Sequence, residues 1–482
     1  MIFILTNLDF TERGEMWPPS DMDERTRLQE HVKNRKLYEE LHEQIFPKYL
    51  KYLSDDKQDD KIQKIIIGIA ETATTNYMDL LLGEAPIITA PKTYPIPDEE
   101  LFIDVSRYGL GLLEVTQTGI TIVNPENAYI VVNPSNIRDV LAFVVFHEFE
   151  ISDGEKSTKY VKLTIHEPGT IRHVVYNIHN GKLEYANLLD FPEFEDLIID
   201  DEGYQQTGVE DFLMLKVDNA LSSERYYGRS DYTPSVHTLI EALEMAFARR
   251  AEVLAKFSRP IPMVPENAMQ FDHSKGRWIF KTDNAIILKE GQPSAAYLTW
   301  QANLADVEVE IKDLFDQLLV KLKLSRVLLA GDNTGSADSG TSLRIRLIPT
   351  LSKVRKFASA YKEVVPKAFS LMSYLDAENE INNEDEMDDQ KEEVAPFDPD
   401  DVIIVLQDGI PSVPLEDAQL RLLNAQALSQ LKIAGVLDNK TAMRAAILMN
   451  IVTEDIFLPL SNSVIEDQIS MKENEVLAEE GI

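Results

Sequence analysis

The sequence predicts an α+β fold, elongated and built from several subdomains, and three observations carry that prediction. Strand-like alternation is gathered into one stretch, from about Phe102 to Leu189, instead of being interleaved with helices. Two apolar stripes of helical period, at 234–257 and 303–325, are separated by a proline-rich break and short strand-like pieces. A further helical run, Leu343 to Leu375, keeps its period for thirty-two residues, long for a compact domain.

Taken in order, the first twenty residues hold a five-residue apolar run, Met1-Ile-Phe-Ile-Leu, too short for a signal peptide, and Trp17-Pro-Pro, which fits no element. Asp21 to about Tyr52 reads as an amphipathic helix, and Lys61 through Leu82 as a second one stopped by Gly83. Pro86 begins an extended segment. Tyr129-Ile-Val-Val, Phe143-Val-Val-Phe, Tyr160-Val-Lys-Leu-Thr-Ile and His173-Val-Val-Tyr-Asn-Ile are antiparallel strands, the last closed by an Asn180-Gly181 turn. Thr233-Pro234 supplies a cap and a first-turn proline, and Val236, Leu239, Ile240, Leu243 and Phe247 form the stripe after it. Pro260-Ile-Pro-Met-Val-Pro265 ends that helix. Arg277-Trp-Ile-Phe and Asn284-Ala-Ile-Ile-Leu are short strands before the next stripe of Leu304, Val307, Ile311, Leu314, Leu318 and Leu322.

A glycine-rich loop, Gly331 to Gly340, leads into the long helix, ~50 Å at 1.5 Å per residue, which Pro349 and Pro366 should kink. Asp376 to Glu393 holds ten acidic residues against Lys391 and reads as a solvated, disordered loop. A strand, Val402-Ile-Ile-Val-Leu, two or three short helices and an acidic tail complete the chain.

Charge narrows the function. Lys and Arg number 47 against 82 Asp and Glu, a net charge of −35, so the protein as a whole should repel nucleic acid unless cations are locally clustered. There is no cysteine, which removes disulfides and thiolate metal sites. No apolar run approaches the ~20 residues of a membrane span, so a soluble protein made in the cytoplasm is expected.

Motifs of catalysis fail in detail. Gly335-Ser-Ala-Asp-Ser-Gly340-Thr-Ser342 follows an apolar run, Val327-Leu-Leu-Ala, and opens a helix as a phosphate-binding loop would. Thr341 stands where the lysine belongs, and Asp338 would face the phosphate. Tyr108-Gly-Leu-Gly lacks the third glycine of a dinucleotide fingerprint, and His147-Glu148 is followed by Ile151 where a second histidine is needed. His166, His173 and His179 read as strand histidines, not a zinc set. No cofactor or metal is expected. Against the acidic background, Arg344, Arg346, Lys353, Arg355, Lys356, Lys362 and Lys367 face only Glu363 between Gly340 and Ser370. They suit either DNA phosphates or the carboxylates of a neighbouring subunit.

Four segments together resemble the portal proteins of long-tailed phages, over about residues 20 to 460. They are Glu71-Thr-Ala-Thr-Thr-Asn-Tyr-Met-Asp-Leu-Leu-Leu-Gly-Glu-Ala-Pro, Tyr227-Gly-Arg-Ser-Asp-Tyr, Ser339-Gly-Thr-Ser-Leu-Arg-Ile-Arg-Leu and Gly435-Val-Leu-Asp-Asn-Lys-Thr-Ala. In the last, Asn439 stands where serine is commoner in the family. The resemblance implies an unplaced arm at 1–20, a wing at 21–233, a stem helix at 234–257, a β-containing clip at 258–302 and a second stem helix at 303–328. It further implies a tunnel loop at 329–341, a kinked wing helix at 342–375 and an acidic loop at 376–398. A wing strand at 399–413, a helical crown at 414–460 and an acidic tail at 461–482 come after these.

By the same resemblance the protein is not an enzyme but a ring, expected to be a dodecamer, at one capsid vertex. Double-stranded DNA passes through it during packaging and ejection. Its partners would be further copies of itself, the terminase large subunit, a head-completion adaptor, and the major capsid and scaffolding proteins, with no membrane. It would be assembled in the host cytoplasm and end in the virion. Asn333, Thr334, Gly335, Ser336, Asp338 and Ser339 become the DNA-facing loop, and Asp306, Glu310 and Asp313 channel-lining carboxylates. Arg344, Arg346, Lys353, Arg355 and Lys356 become phosphate or intersubunit contacts, and Arg277, Trp278, Lys281 and Lys289 clip contacts. Two alternatives stay open: a carboxylate-rich, metal-dependent hydrolase, and another structural phage adaptor.

Overall fold

The computed structural model describes residues 17–18, 22–53, 64–153, 156–194, 199–200, 203–257, 261–263, 269–274, 276–280, 296–298, 304–330, 340–382, 395–406, 414–435, 442 and 445–446. The first helical region is not one amphipathic helix. Helix α1 (Met22–Tyr38) ends near Glu40, which takes a left-handed φ of 58°, and a 3-10 turn precedes α2 (Pro47–Leu53). The face that α1 buries is mostly polar: Glu24, Arg27, His31 and Asn34, with Leu37. Burial of such groups requires partners. Arg27 donates to Glu24 and to the carbonyls of Pro125 and Ala128, and the Tyr226 hydroxyl donates to Glu24.

Helix α3 (Ile69–Leu82) begins eight residues later than the sequence pattern suggests and ends at Gly83 as expected, burying Ala70, Ala73, Tyr77 and Leu81. Strand β1 (Ile87–Thr89) is the extended segment after Pro86. Helix α4 (Asp98–Tyr108) replaces the strand expected from Phe102. Asp98, Glu99 and Glu100 suit the positive end of a helix, and Gly109, at φ 82°, closes it.

The strand-rich region forms two antiparallel sheets. Strands β2 (Leu110–Thr116) and β3 (Gly119–Val123) make a hairpin; β4 (Ala128–Asn133), β5 (Asn136–Asp153), β6 (Lys156–Glu167), β7 (Thr170–His179) and β8 (Lys182–Ala186) continue as a meander. The β7–β8 hairpin turns on Asn180-Gly181, with φ of 51° and 76°, the positive pair that a two-residue turn of this hand requires. Strand β9 (Tyr204–Gln206) joins β7, and β10 (Met214–Asp218) pairs with β2. Trp17 docks on the meander: its indole donates to Glu148 at 2.6 Å and meets Tyr129 and Phe146 edge-on.

Helix α5 (Pro234–Phe257) starts at the expected cap. Strands β11 (Ile261–Met263), β12 (Met269–Asp272), β13 (Arg277–Phe280) and β14 (Ala296–Leu298) form two small antiparallel pairs, β11 with β14 and β12 with β13. Helix α6 (Leu304–Leu322) then returns along α5. The apolar run Val327 to Ala330 is a helical turn, α7, and not the strand that a phosphate-binding loop would follow. Helix α8 (Gly340–Asn382) is 43 residues long and carries the first seven residues of the expected acidic loop within it. Strand β15 (Ile403–Val405) pairs with β1, and α9 (Pro414–Ile433) is the last long element described. The largest core joins α3, α4, β2, α5, α6 and α8 through residues such as Tyr77, Phe102, Leu113, Val236, Leu318, Phe357 and Phe369.

Several titratable groups are folded in with this core. Burial, with Lys162 nearby, pushes His173 down to about 4, and burial pushes His237 down to about 3 and His31 well below its usual value. Burial raises Asp104 to about 6. A histidine kept neutral when folded loses stability for the protein as pH falls below its unfolded value near ~6.5, by up to ~1.4 kcal/mol per pH unit. Asp104 acts oppositely between about 6 and 4, because the folded state holds its proton more tightly. The three histidines outweigh it, so thermal melts should show the midpoint falling from pH 7.5 to pH 5.5. His237→Gln, which retains a donor for Asn34, should flatten that slope.

Candidate functional site

The segment that launches α5 is assembled from unusual close contacts. After β10 the chain forms a narrow loop, with Ala220 bridged to Arg229, and runs Tyr226-Tyr-Gly-Arg-Ser-Asp-Tyr232 into the Thr233 cap. Gly228 lies against Gly109: a Cβ on Gly228 would stand 2.1 Å from the Gly109 carbonyl oxygen, so no side chain fits. Asn219 N–H donates to that same carbonyl at 3.0 Å, and Gly228 N–H donates to the Asp218 carboxylate at 2.9 Å. The Ser230 hydroxyl donates to the Arg107 carbonyl at 2.7 Å, at the end of α4.

A polar network radiates from Asp231. Its two carboxylate oxygens accept from Asn219 Nδ2 and from Ser106 Oγ, each at 2.9 Å. Ser106 reaches Thr74 Oγ1 at 2.9 Å, and Thr74 reaches the Tyr232 hydroxyl at 2.6 Å. Tyr232 donates to the Ala70 carbonyl, and burial pushes its hydroxyl far up. The cation is Lys353 of α8, 2.7 Å from Asp231 Oδ1 and 2.6 Å from Asn219 Oδ1. One knot therefore ties α3, α4, the approach to α5, and α8.

Lys353 departs from what its basic neighbours suggest. It is only 8% exposed and its ammonium is engaged inside the subunit, which leaves it no face for phosphate or a second copy. Arg344, Arg346, Arg355 and Lys356 are exposed on α8. On α6, Asp306, Glu310 and Asp313 are exposed as well, beside Val309 and Val320. The inner face of α6 buries Ile311, Leu318 and Leu322, and its carboxyl end is held by α8: Thr350 donates to the Lys323 carbonyl and accepts from Ser325 N–H, both at 2.9 Å. Arg250 on α5 lies 3.7 Å from Glu308. His42 and Glu244, both fully buried, hydrogen-bond the 3-10 turn to α5.

The remaining sequence candidates fall elsewhere. Asn333, Thr334, Gly335, Ser336, Asp338 and Ser339 lie outside the described residues, as do Lys281 and Lys289. Arg277 and Trp278 belong to β13, their side chains outside the described set. Among the described residues no group of histidines and carboxylates could hold a metal ion, and no helix is long and apolar enough to cross a membrane. Sequence reasoning marks Tyr227-Gly-Arg-Ser-Asp-Tyr but misses the knot around Asp231 as a unit, because its other members sit far away in the chain.

A family model described as phage portal protein, SPP1 Gp6-like, matches residues 94–456 of the 482. Comparison with curated proteins gives no match. The matched span contains α4, α5, α6 and α8 and all of the Asp231 knot except its α3 members, Thr74 and Ala70. Lys353→Met should leave Asp231 without its cation and cost about 3–5 kcal/mol in chemical denaturation. The double variant Lys353→Met/Asp231→Asn should recover most of that loss.

Proposed function

Because the chain belongs to the phage portal proteins of the SPP1 Gp6-like family, we propose that it builds a closed ring at one capsid vertex, a conduit for double-stranded DNA during packaging and ejection. The observation that carries this reading is the path of the chain through α5, the small β-pairs, α6 and α8. Two helices of 24 and 19 residues run side by side from the knot to a small β element and back. That is a poor shape for a catalytic cleft and a good one for a channel wall. Head-to-tail repetition of such a subunit closes a ring.

In this reading α5 and α6 are the stem and the strands between them the clip. The sheets and most of α8 form the wing, and α9 together with the residues after it forms the crown. Asp306 and Glu310, one turn apart on α6, present carboxylates to the channel, where like charge keeps DNA from adhering as it moves. Arg344 and Arg346, in the first turns of α8, supply cations beside residues 331–339, the loop that approaches DNA. Arg277, Trp278, Lys281 and Lys289 in the clip segment meet the packaging ATPase or an adaptor. The subunit itself performs no chemistry. Energy for movement comes from the terminase, and the ring's outer surface meets capsid and scaffolding proteins.

Native mass spectrometry of the purified protein, with negative-stain imaging of the same sample, tests the reading. A ring of about twelve copies with a central hole is expected. A stable monomer or dimer across a wide concentration range would contradict it.

A further inference from the structure

Large aliphatic side chains left exposed on an otherwise charged helix indicate contact with protein more than with water or DNA. Among the described residues such side chains stand on helices including α6, α8 and α9, and the stripes of α6 and α8 lie on two helices of opposite exposed charge. On α6, Val309 is 57% exposed and Val320 is 75% exposed. With Asp313 and Asp316 they occupy positions i, i+4, i+7 and i+11, a single face of the helix. On α8, Ile345 is 61% exposed and Ile348 is 56% exposed. Ile345, Ile348, Ser352 and Lys356 keep a matching spacing, and Arg355 stands two turns beyond Ile348. Each stripe spans eleven steps of the helical rise, ~16 Å.

The stripes match in what they offer. Each has two aliphatic side chains, and the charges beside them are opposite: on α6 the Asp313 carboxylate, with Asp316 paired to Arg326 of the same subunit, and on α8 cations. Within one subunit both are exposed, so neither covers the other. Their difference in sign suits a heterologous contact, in which one surface of each copy meets another surface of the next. DNA is a worse occupant for the α6 stripe, since carboxylates repel phosphate and valines gain nothing from it. It is also a worse occupant for the α8 stripe, whose first turn is aliphatic.

The geometry points to an intersubunit seam in which the Val309–Asp313–Val320 face of α6 on one copy packs against the Ile345–Ile348–Lys356 face of α8, with Arg355, on the next copy. This rests on the ring reading and specifies its contact. It moves Asp313 from the channel to the seam and leaves Asp306 and Glu310, on the adjoining flank of α6, for the DNA side. The seam recurs at every junction of the ring, so a modest change in each contact accumulates over the whole assembly.

Charge reversal on the full-length protein tests the pairing. Asp313→Arg alone, and Arg355→Glu/Lys356→Glu alone, should each raise the concentration needed for half-assembly by about tenfold or more. Circular dichroism melts taken below the concentration of half-assembly should be unchanged, because these side chains are exposed in the single subunit. Combining all three substitutions in one chain should restore rings toward the unsubstituted level. Rings at normal abundance from both single-surface variants would overturn the seam while the ring reading stood. Loss of rings without recovery in the combined variant would also overturn the pairing. Absence of rings from the unsubstituted protein would instead remove the reading on which the seam depends.

Discussion

An ammonium that is nearly sealed from water must find its solvation among protein atoms, and for Lys353 those atoms are Asp231 Oδ1 and Asn219 Oδ1. The pair is useful to the fold because of where its two ends come from. Lys353 sits in the first half of the longest helix, and Asp231 stands three residues ahead of the helix that begins the α5–α6 pair. Removing either partner would strand a buried charge, so both segments are held to one geometry. The hydroxyls of Ser106, Thr74 and Tyr232 extend the same restraint into α4 and α3. The glycine-on-glycine contact of Gly109 and Gly228 brings the backbones close enough for that network to close.

This restraint gives a chain with a net charge of −35 a fixed interior frame. Among the described residues most carboxylates are exposed or half-exposed, where each keeps its water and contributes little to stability. Several charged groups that enter the interior do so in pairs: Glu24 with Arg27 and Tyr226, Asp104 with Arg107, His42 with Glu244, and Lys353 with Asp231. The charges left outside are sorted along helices. Carboxylates run along the outer side of α6 and cations along α8; in the proposed ring a second copy would meet complementary surfaces, and the carboxylates of α6 would repel a polyanion.

Much of the fold is legible in the sequence where local chemistry decides structure. The Asn180-Gly181 hairpin, the Thr233-Pro234 helix start, the stripes of α5 and α6 and the unbroken period of α8 all appear where their patterns indicate. Elements decided by distant partners are not legible in the same way. The polar face of α1 looks solvated until Pro125, Ala128 and Tyr226 are brought to it. Helix α4 carries its own signals in Asp98, Glu99, Glu100 and Gly109, but the β-branched and leucine-rich residues just after it suggest strands. Lys353 is indistinguishable from Arg355 and Lys356 by composition; its partner Asn219 lies 134 residues away. The family resemblance is readable from short motifs, because the Tyr227 to Tyr232 segment is constrained by close backbone contacts that tolerate few residues.

The central claim is that the subunit forms one wall segment of a DNA conduit. A single-particle electron microscopy map of the assembled protein tests that most directly. The expected map shows a closed ring with an axial channel wide enough for a DNA duplex, the Asp306 and Glu310 side of α6 toward the axis, and α8 bridging each subunit to the next. A compact particle without an axial channel, or a ring in which α5 and α6 lie at its outer rim, would contradict it.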